Sequence, residues 1–180
     1  GFRGVRLVPE RGKTLRVELA RTMIARRLGR ITGAGIFAES QRLGGDADWK
    51  ESGVAGCDSV QNAVHRGRMF WLWGDTSLLR YPLGIFHGTS ATTPVQPLES
   101  FEPPIRLEYQ YFTDAQGAPR GVAEMPGAGP TWVTGYASLP DRAGRERLVG
   151  LYAKIKPPLE AYRYGLCAWN DRAGKFEHLK

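Results

Sequence analysis

The sequence has no long hydrophobic run and few cysteines or histidines. None of its 180 residues lies in a stretch that approaches the roughly 18 consecutive apolar residues of a membrane-spanning helix, so no membrane span is predicted. Two cysteines, Cys57 and Cys167, are too few for a disulfide framework, although they could pair with each other. The three histidines lack the spacing of metal ligands, so the sequence predicts no metal site.

Basic charge is concentrated in the first quarter of the chain. Residues 1–45 contain ten Lys and Arg against three Asp and Glu, whereas residues 46–180 contain fifteen of each. The basic segment could bind nucleic acid or dock onto a protein partner. Its arginines are spaced out among apolar residues, however, which disfavours nucleic acid and predicts a basic β segment over residues 1–45. Within it, Phe2–Val8 and Thr14–Arg21 are expected to form a hairpin.

Turn-forming residues are abundant in the rest of the chain. The sequence contains 23 Gly and 12 Pro, which favours strands and turns over a helical bundle, and 42% of it is hydrophobic, which is enough for a core. A Gly-rich polar stretch over residues 43–56 predicts a boundary before a second region, 57–180. In this region Met69–Trp73 is an apolar run typical of a central strand, with neighbouring strands expected at Val60–His65 and Phe86–Thr93.

Three D-x-x-G turns follow, at Asp114–Gly117, Asp141–Gly144 and Asp171–Gly174. In each, the Asp side chain is expected to cap the turn and the Gly to take a positive φ. The alternating runs around them predict a four-stranded meander over residues 131–180, which is the unit of a β-propeller blade. We therefore expect a mainly β chain, with two to three four-stranded antiparallel blades of a partial β-propeller after the short β segment. A β-sandwich is the competing architecture.

Several segments resemble one known family. They are Gly56–Val60, Arg66–Thr76 with its Gly74-Asp75-Thr76 end, Tyr81–His87 and Gly129–Val133. Together they resemble the N-terminal part of the five-bladed β-propeller glycosidases of the arabinanase and invertase kind, a group that includes bacterial endo-D-arabinanases. The resemblance covers roughly residues 56–180 and implies a secreted or periplasmic glycoside hydrolase. Such propellers also draw an acidic residue from a later blade, which this chain is expected to lack.

The resemblance matches Asp58 and Asp75 to the family's acidic positions. Glycoside hydrolysis generally needs two carboxyl groups that face the scissile bond, and an antiparallel pairing of the two flanking strands brings these two to the same edge. Tyr81 and Trp132 are expected to bind sugar, since aromatic faces pack on sugar rings. His87 is expected to line the same site, where it could hydrogen-bond a sugar hydroxyl or tune a carboxyl group. The predicted ligand is a polysaccharide or another glycan.

Other functions compete with a catalytic one. Asp58 could simply begin a loop and Asp75 cap a turn, which would leave a non-catalytic module that binds carbohydrate or protein, or a structural subunit that docks through residues 1–45. A G-x-G-x-x-A match at Gly33–Ala38 lacks the βαβ context of a dinucleotide site. Ca²⁺ could bind near Asp46 and Asp48, but the twelve-position ligand pattern is missing, so no cofactor is predicted.

Overall fold

A computed structural model shows a mainly β protein. It describes residues 6–20, 22–25, 28–29, 32, 53–78, 84–103, 105 and 107–179. Within these residues there are ten strands and one 3-10 turn at Leu98–Ser100, and no α-helix. Among the same residues, no helix combines the length and the apolar character needed to cross a membrane.

The ten strands form three antiparallel sheets. A small sheet pairs β1 with β4, a first sheet has the order β2-β3-β5-β6, and a second sheet has the order β7-β8-β9-β10. The strands are β1 Val54–Cys57, β2 Gln61–His65, β3 Arg68–Leu72, β4 Thr76–Leu78, β5 Ser90–Pro94, β6 Gln110–Tyr111, β7 Thr131–Pro140, β8 Glu146–Lys156, β9 Glu160–Asn170 and β10 Lys175–Leu179.

The apolar run after the first tight turn forms the predicted central strand. In β3, Phe70 pairs with Ala63 of β2 on one side and with Thr92 of β5 on the other. Phe70 and Leu72 are buried. The strand expected at Phe86–Thr93 begins only at Ser90, because Gly88 has a φ of +61° that interrupts the extended backbone.

The second sheet is the meander predicted over residues 131–180. Its β7–β8 turn follows the expected chemistry, because Asp141 Oδ1 accepts hydrogen bonds from the backbone N–H of Ala143 and of Arg145 and Gly144 has a φ of +76°.

The β9–β10 turn departs from the prediction for Asp171. Asn170 Oδ1 accepts the hydrogen bonds from Arg172 N and Ala173 N, whereas Asp171 forms an ion pair with Arg66. Asn170 is the last residue of β9, so its side chain reaches the turn amides and Asp171 points across to the β2–β3 turn.

One hydrophobic core joins the two large sheets. Phe70 stacks edge-on against Trp169 of β9, with their ring centroids 5.5 Å apart, and Phe112 contacts both rings. Side chains from the segment 122–125, which links the sheets, fill the space between them. The buried members of this core are Phe70, Leu72, Val122, Ala123, Met125, Val133, Tyr136, Leu148, Tyr152, Cys167, Trp169 and Phe176.

Strands β2 and β7 meet where the two large sheets adjoin. The register of β7 against β8 shifts between Thr134 and Ala137, and this bulge exposes backbone groups to a neighbour. The Gln61 side chain uses them: its Nε2 donates to Val133 O, and its Oε1 accepts from Tyr136 N at 3.4 Å. At the other end of β2, His65 Nδ1 lies 2.8 Å from Ser138 Oγ. Polar side chains therefore fix these two strands side by side.

The predicted N-terminal hairpin is wrong for the residues that the structure describes. The turn is present, because Lys13 N donates to Glu10 O at 3.1 Å, but residues 14–20 form no strand and all of them are exposed. Leu15 and Val17 are exposed, and no described strand pairs with this segment. The alternating pattern alone is therefore not enough to form a strand. The rest of the predicted hairpin, residues 2–5 and 21, lies outside the described residues.

Candidate functional site

Two neighbouring pairs of strands bring Asp58 and Asp75 together. Asp58 lies between β1 and β2, and Asp75 lies between β3 and β4. Asp58 N donates to Asp75 O at 3.1 Å, and Gly74 N donates to Asp58 O at 3.0 Å. The two residues are therefore partners across an antiparallel connection, at the edge expected from the pairing of β2 with β3.

The Asp58 side chain lies over the backbone of its partner. Asp58 is exposed, and its Oδ1 accepts a hydrogen bond from Asp75 N at 3.0 Å. Gly74 makes this position possible, since a Cβ there would overlap Asp58 Oδ1 and would come within 3.1 Å of Ser59 Cβ. A glycine before Asp75 is thus a steric requirement of the carboxylate arrangement.

Asp75 is held in a less hydrated environment. Its Oδ1 is buried and has no hydrogen-bond partner in the part of the chain that the structure describes. Burial raises the pKa of the Asp75 carboxyl above its ordinary value, and the negative charge of Asp58 raises it further. A group of this kind retains its proton at higher pH than an ordinary aspartate, which is what a general acid requires.

A cleft of about 270 Å³ opens beside the two carboxyl groups. Its walls come from the start of β2, the end of β3 and the first residues of β7, so both large sheets contribute. Trp132 projects from β7 and is 38% exposed. The lining residues are Asp58, Ser59, Gln61, Leu72, Trp73, Gly74, Asp75, Gly88, Thr131, Trp132, Val133 and Thr134.

A buried lysine supports the β7 wall of the cleft. Lys154 of β8 is fully buried, and its Nζ donates to Gly129 O at 2.5 Å and to Thr131 Oγ1 at 3.1 Å. Burial lowers the pKa of the Lys154 ammonium, and the charge of Glu124 opposes that shift. These two hydrogen bonds fix the chain where it enters β7, immediately before Trp132.

Of the two predicted sugar-binding residues that the structure describes, only one lies at the cleft. Of the sugar-binding residues, Trp132 lines the cleft, Tyr81 lies outside the described residues, and His87 is not among the lining residues. His87 is half-buried, and its Nδ1 has no partner among the described residues. Burial lowers its pKa, and the nearby positive charge of Lys154 lowers it further. His87 therefore belongs to the interior around Lys154.

Four polar residues of the cleft were not predicted from the sequence. Ser59, Gln61, Thr131 and Thr134 all contribute to its lining. For Gln61 a signal was available, since a polar residue that opens a strand directly after Asp58 must lie at the same edge as that carboxylate. Thr134 could not be found in this way, because the β7 bulge and the packing of β7 beside β2 place it there.

Within the described ranges, the cysteines and the acidic residues form no further centre. Cys57 and Cys167 are free thiols, and burial raises their pKa values to about 11 and about 12. Among the residues described, no group of three or more His, Cys, Asp or Glu side chains is arranged to hold a metal ion. Asp46, Asp48 and the segment 33–38 lie outside the described residues.

Comparisons with family models, with curated proteins and with solved structures found no match to this chain.

Proposed function

We propose that this chain carries a glycan-binding cleft in which Asp58 and Asp75 act as the carboxyl pair of a glycoside hydrolase. The observation that carries the proposal is the half-buried Asp75, which lines the cleft together with Asp58 and whose buried Oδ1 has no hydrogen-bond partner among the described residues. A buried polar atom without a partner is uncommon in proteins and calls for a functional or structural reason.

The two carboxyl groups have environments suited to different roles. Asp75 is the proposed general acid, because its raised pKa keeps a proton available for the oxygen of a leaving group. Asp58 is exposed and is the proposed partner that stays ionised and either attacks the sugar or activates water. Such a division between a buried and a solvated carboxyl group is how glycosidases assign acid and base.

The shape and lining of the cleft suit a small part of a glycan. Its volume of about 270 Å³ is slightly smaller than the roughly 300–1,000 Å³ typical of small-molecule sites. The exposed ring of Trp132 can pack on the C–H face of a sugar, and Thr134, which lies two residues further along β7, offers a hydroxyl group in the same lining. We expect one sugar ring to occupy it at a time.

The proposal includes a partial β-propeller as the scaffold. Its support is that two four-stranded antiparallel sheets follow one another along the chain and that their first strands, β2 and β7, lie side by side. Blades that surround a common axis place their first strands in this way. The cleft would then open beside the axis. The docking of residues 1–45 onto a protein partner stays a prediction.

A non-catalytic glycan-binding module is the second candidate. It is favoured by the hydrogen bond between Asp58 Oδ1 and Asp75 N, because an oxygen already engaged by the backbone is less free to take part in a reaction. In this case both aspartates would orient sugar hydroxyls, and Trp132 would still supply the platform.

The Asp75→Asn variant separates these candidates. The wild-type protein and Asp75→Asn would be assayed for release of reducing ends from soluble arabinan and for binding to the same polymer by calorimetry. If Asp75 is the acid, Asp75→Asn should lose at least about 100-fold in rate and keep its affinity, since general acid catalysis contributes about 10²–10⁴-fold. Trp132→Ala should weaken binding in either case.

An exposed carboxylate elsewhere provides the control. Glu102 lies in the connection between β5 and β6 and is exposed, so Glu102→Gln should leave both activity and binding unchanged. Wild-type binding without hydrolysis would reject the catalytic role and support the binding module. Hydrolysis that survives in Asp75→Asn would reject the assignment of Asp75, and neither hydrolysis nor binding by the wild type would reject both candidates.

A further inference from the structure

The second sheet carries apolar side chains on both of its faces. Its inner face belongs to the core, where Tyr152, Cys167 and Phe176 are buried. Leu151 and Leu166 each precede one of these residues along a strand and are exposed, because successive side chains of a strand point to opposite faces. An antiparallel sheet whose second face meets water normally carries polar residues on that face. The outer face of this sheet departs from that pattern.

The strand register joins the exposed apolar residues of the outer face. Leu166 of β9 pairs with Leu151 of β8 on one side and with Leu179 of β10 on the other. Tyr164 lies two residues before Leu166 and therefore points to the same face. Side chains that pair across strands on one face lie in contact distance of each other. Leu151, Tyr164, Leu166 and Leu179 thus form one contiguous surface, the outer patch.

The outer patch is open to solvent in the part of the chain that the structure describes. Its four residues are between 38% and 72% exposed. No described strand packs on it, since β8, β9 and β10 find their strand partners within the second sheet. Contiguous apolar surface of this kind on a protein often marks an interaction site.

The charged residues of the outer face lie at one end of it. By the same alternation Arg147, Lys175 and Glu177 point outward, at the start of β8 and in the first residues of β10. Both signs of charge occur among them, and the outer patch itself is uncharged. The face therefore does not select a partner of strong opposite charge, and two copies of it can approach each other without a strong repulsion.

The size of the outer patch suits a dimer of this chain. Residues of this size have roughly 200 Å² of accessible surface each, so the four together expose roughly 400 Å². Apolar surface makes up about 60% of a typical interface, so an interface centred on the patch would bury roughly 700 Å² on each partner. This is close to the roughly 800 Å² per partner of a standard specific interface.

We propose that the outer patch is the interface of a homodimer in which the second sheets of two copies pack face to face. Three of its four residues are leucines, which interdigitate well between packed sheets and offer no hydrogen bonds to a glycan. A two-fold interface uses the same patch on both subunits, so a second copy supplies a matching apolar row. The dimer does not rest on the proposed hydrolase function.

Sedimentation velocity of the full chain, from low micromolar to several hundred micromolar, tests the dimer. The average mass should rise with concentration from one chain to two and then stop, because a two-fold interface closes on itself. The dissociation constant should change little between low and high sodium chloride, since the contact is apolar and not electrostatic.

Variants at the centre of the patch assign the interface. Leu166→Lys should raise the dissociation constant at least about tenfold, because it places a charge in the centre of the contact. Leu166→Ala is a milder second variant and should raise it about five- to tenfold through the lost apolar area. Leu98 lies in the 3-10 turn outside the patch and is 83% exposed, so Leu98→Lys is the matched control and should dimerise as the wild type does. Thermal unfolding verifies that each variant folds.

Each outcome of these measurements decides for or against the dimer. A mass that stays at one chain over the whole range overturns the proposal and leaves the patch to a partner of another kind. A mass that keeps rising beyond two chains overturns the two-fold arrangement. Dimers that survive both Leu166→Lys and Leu166→Ala, or that Leu98→Lys weakens as much, would place the contact elsewhere on the molecule.

Discussion

Replacement of Asp75 by asparagine should stabilise the folded protein at neutral pH. The ionised carboxyl group of Asp75 is half-buried, its Oδ1 has no partner in the described residues, and the charge of Asp58 is next to it. Asparagine keeps the shape and removes the charge. The variant should therefore relieve both the desolvation of Asp75 and its repulsion with Asp58, while the hydrogen bond from residue 75 N to Asp58 Oδ1 remains.

The magnitude follows from Coulomb's law and from the exposure of Asp58. Two neighbouring unit charges about 4 Å apart repel by about 4 kcal/mol at an effective dielectric constant of 20 and by about 1 kcal/mol in bulk water, and by less at greater separations. Because Asp58 is exposed, the value near water applies, and we expect a gain of about 1 kcal/mol in the free energy of unfolding. For a chain of this size that corresponds to a rise in Tm of about 2–4 °C.

The stability gained by Asp75→Asn should depend on pH, because the pKa of Asp75 differs between the folded and the unfolded chain. A carboxyl group with a raised pKa in the folded state binds its proton more tightly there than in the unfolded chain. Its stabilising contribution is complete below 3.8, the ordinary pKa of the group, and is lost as the pH rises through the folded-state pKa. The advantage of Asp75→Asn should accordingly be absent below about pH 3.8 and reach its full size at neutral pH.

Urea unfolding of four proteins from pH 3 to pH 8 measures this effect. The wild type, Asp58→Asn, Asp75→Asn and the double variant form a cycle, in which the double variant should gain less than the sum of the single ones because each removes the same repulsion. A destabilised Asp75→Asn at pH 7, or a gain that does not change with pH, would refute the reasoning.

Two further predictions concern the surroundings of the site. Gly74→Ala should displace the Asp58 carboxylate and lower the free energy of unfolding by about 0.5–1.5 kcal/mol through the lost hydrogen bond, as measured by urea unfolding. Gly56→Ala is the matched control, because a Cβ there meets no atom within 4 Å. Equal losses of stability in both variants would count against the steric role of Gly74. Because the pKa of Lys154 is lowered in the folded protein, the unfolded chain binds more protons between that pKa and 10.5, and the stability of the fold should rise with pH over this interval. Lys154→Met should abolish this rise in a series of calorimetric unfolding measurements. An unchanged pH profile in the variant would contradict the assignment.

The strands that were predicted well carry strong local signals. Alternating apolar residues bounded by D-x-x-G turns are enough to predict the second sheet, because each hairpin there joins neighbours along the chain. The five-residue run Met69–Trp73 likewise predicts a central strand, since only a strand covered on both faces can be so apolar. The meeting of Asp58 with Asp75 follows from the same hairpin logic.

The missed elements depend on distant partners. Strands β1 and β4 are short and carry no clear period, and they exist because Cys57 and Thr76 pair across the β2–β3 hairpin. The segment Thr14–Leu19 has the period of a strand but no sheet to join in the described structure. His87 stands near the predicted site in sequence, yet the positive φ of Gly88 and the packing around Lys154 place it elsewhere.

The amino-acid sequence by itself determined the all-β character, the meander and the pairing of Asp58 with Asp75, because these depend on residues close along the chain. Only the tertiary structure decided that β7 lies beside β2, which completes the cleft with Trp132 and Thr134, and that the β2–β3 turn meets the β9–β10 turn through the ion pair of Arg66 with Asp171. These features arise where sheets pack against each other. The free energy of that packing is distributed over residues that are far apart in the sequence, so local sequence patterns do not predict it.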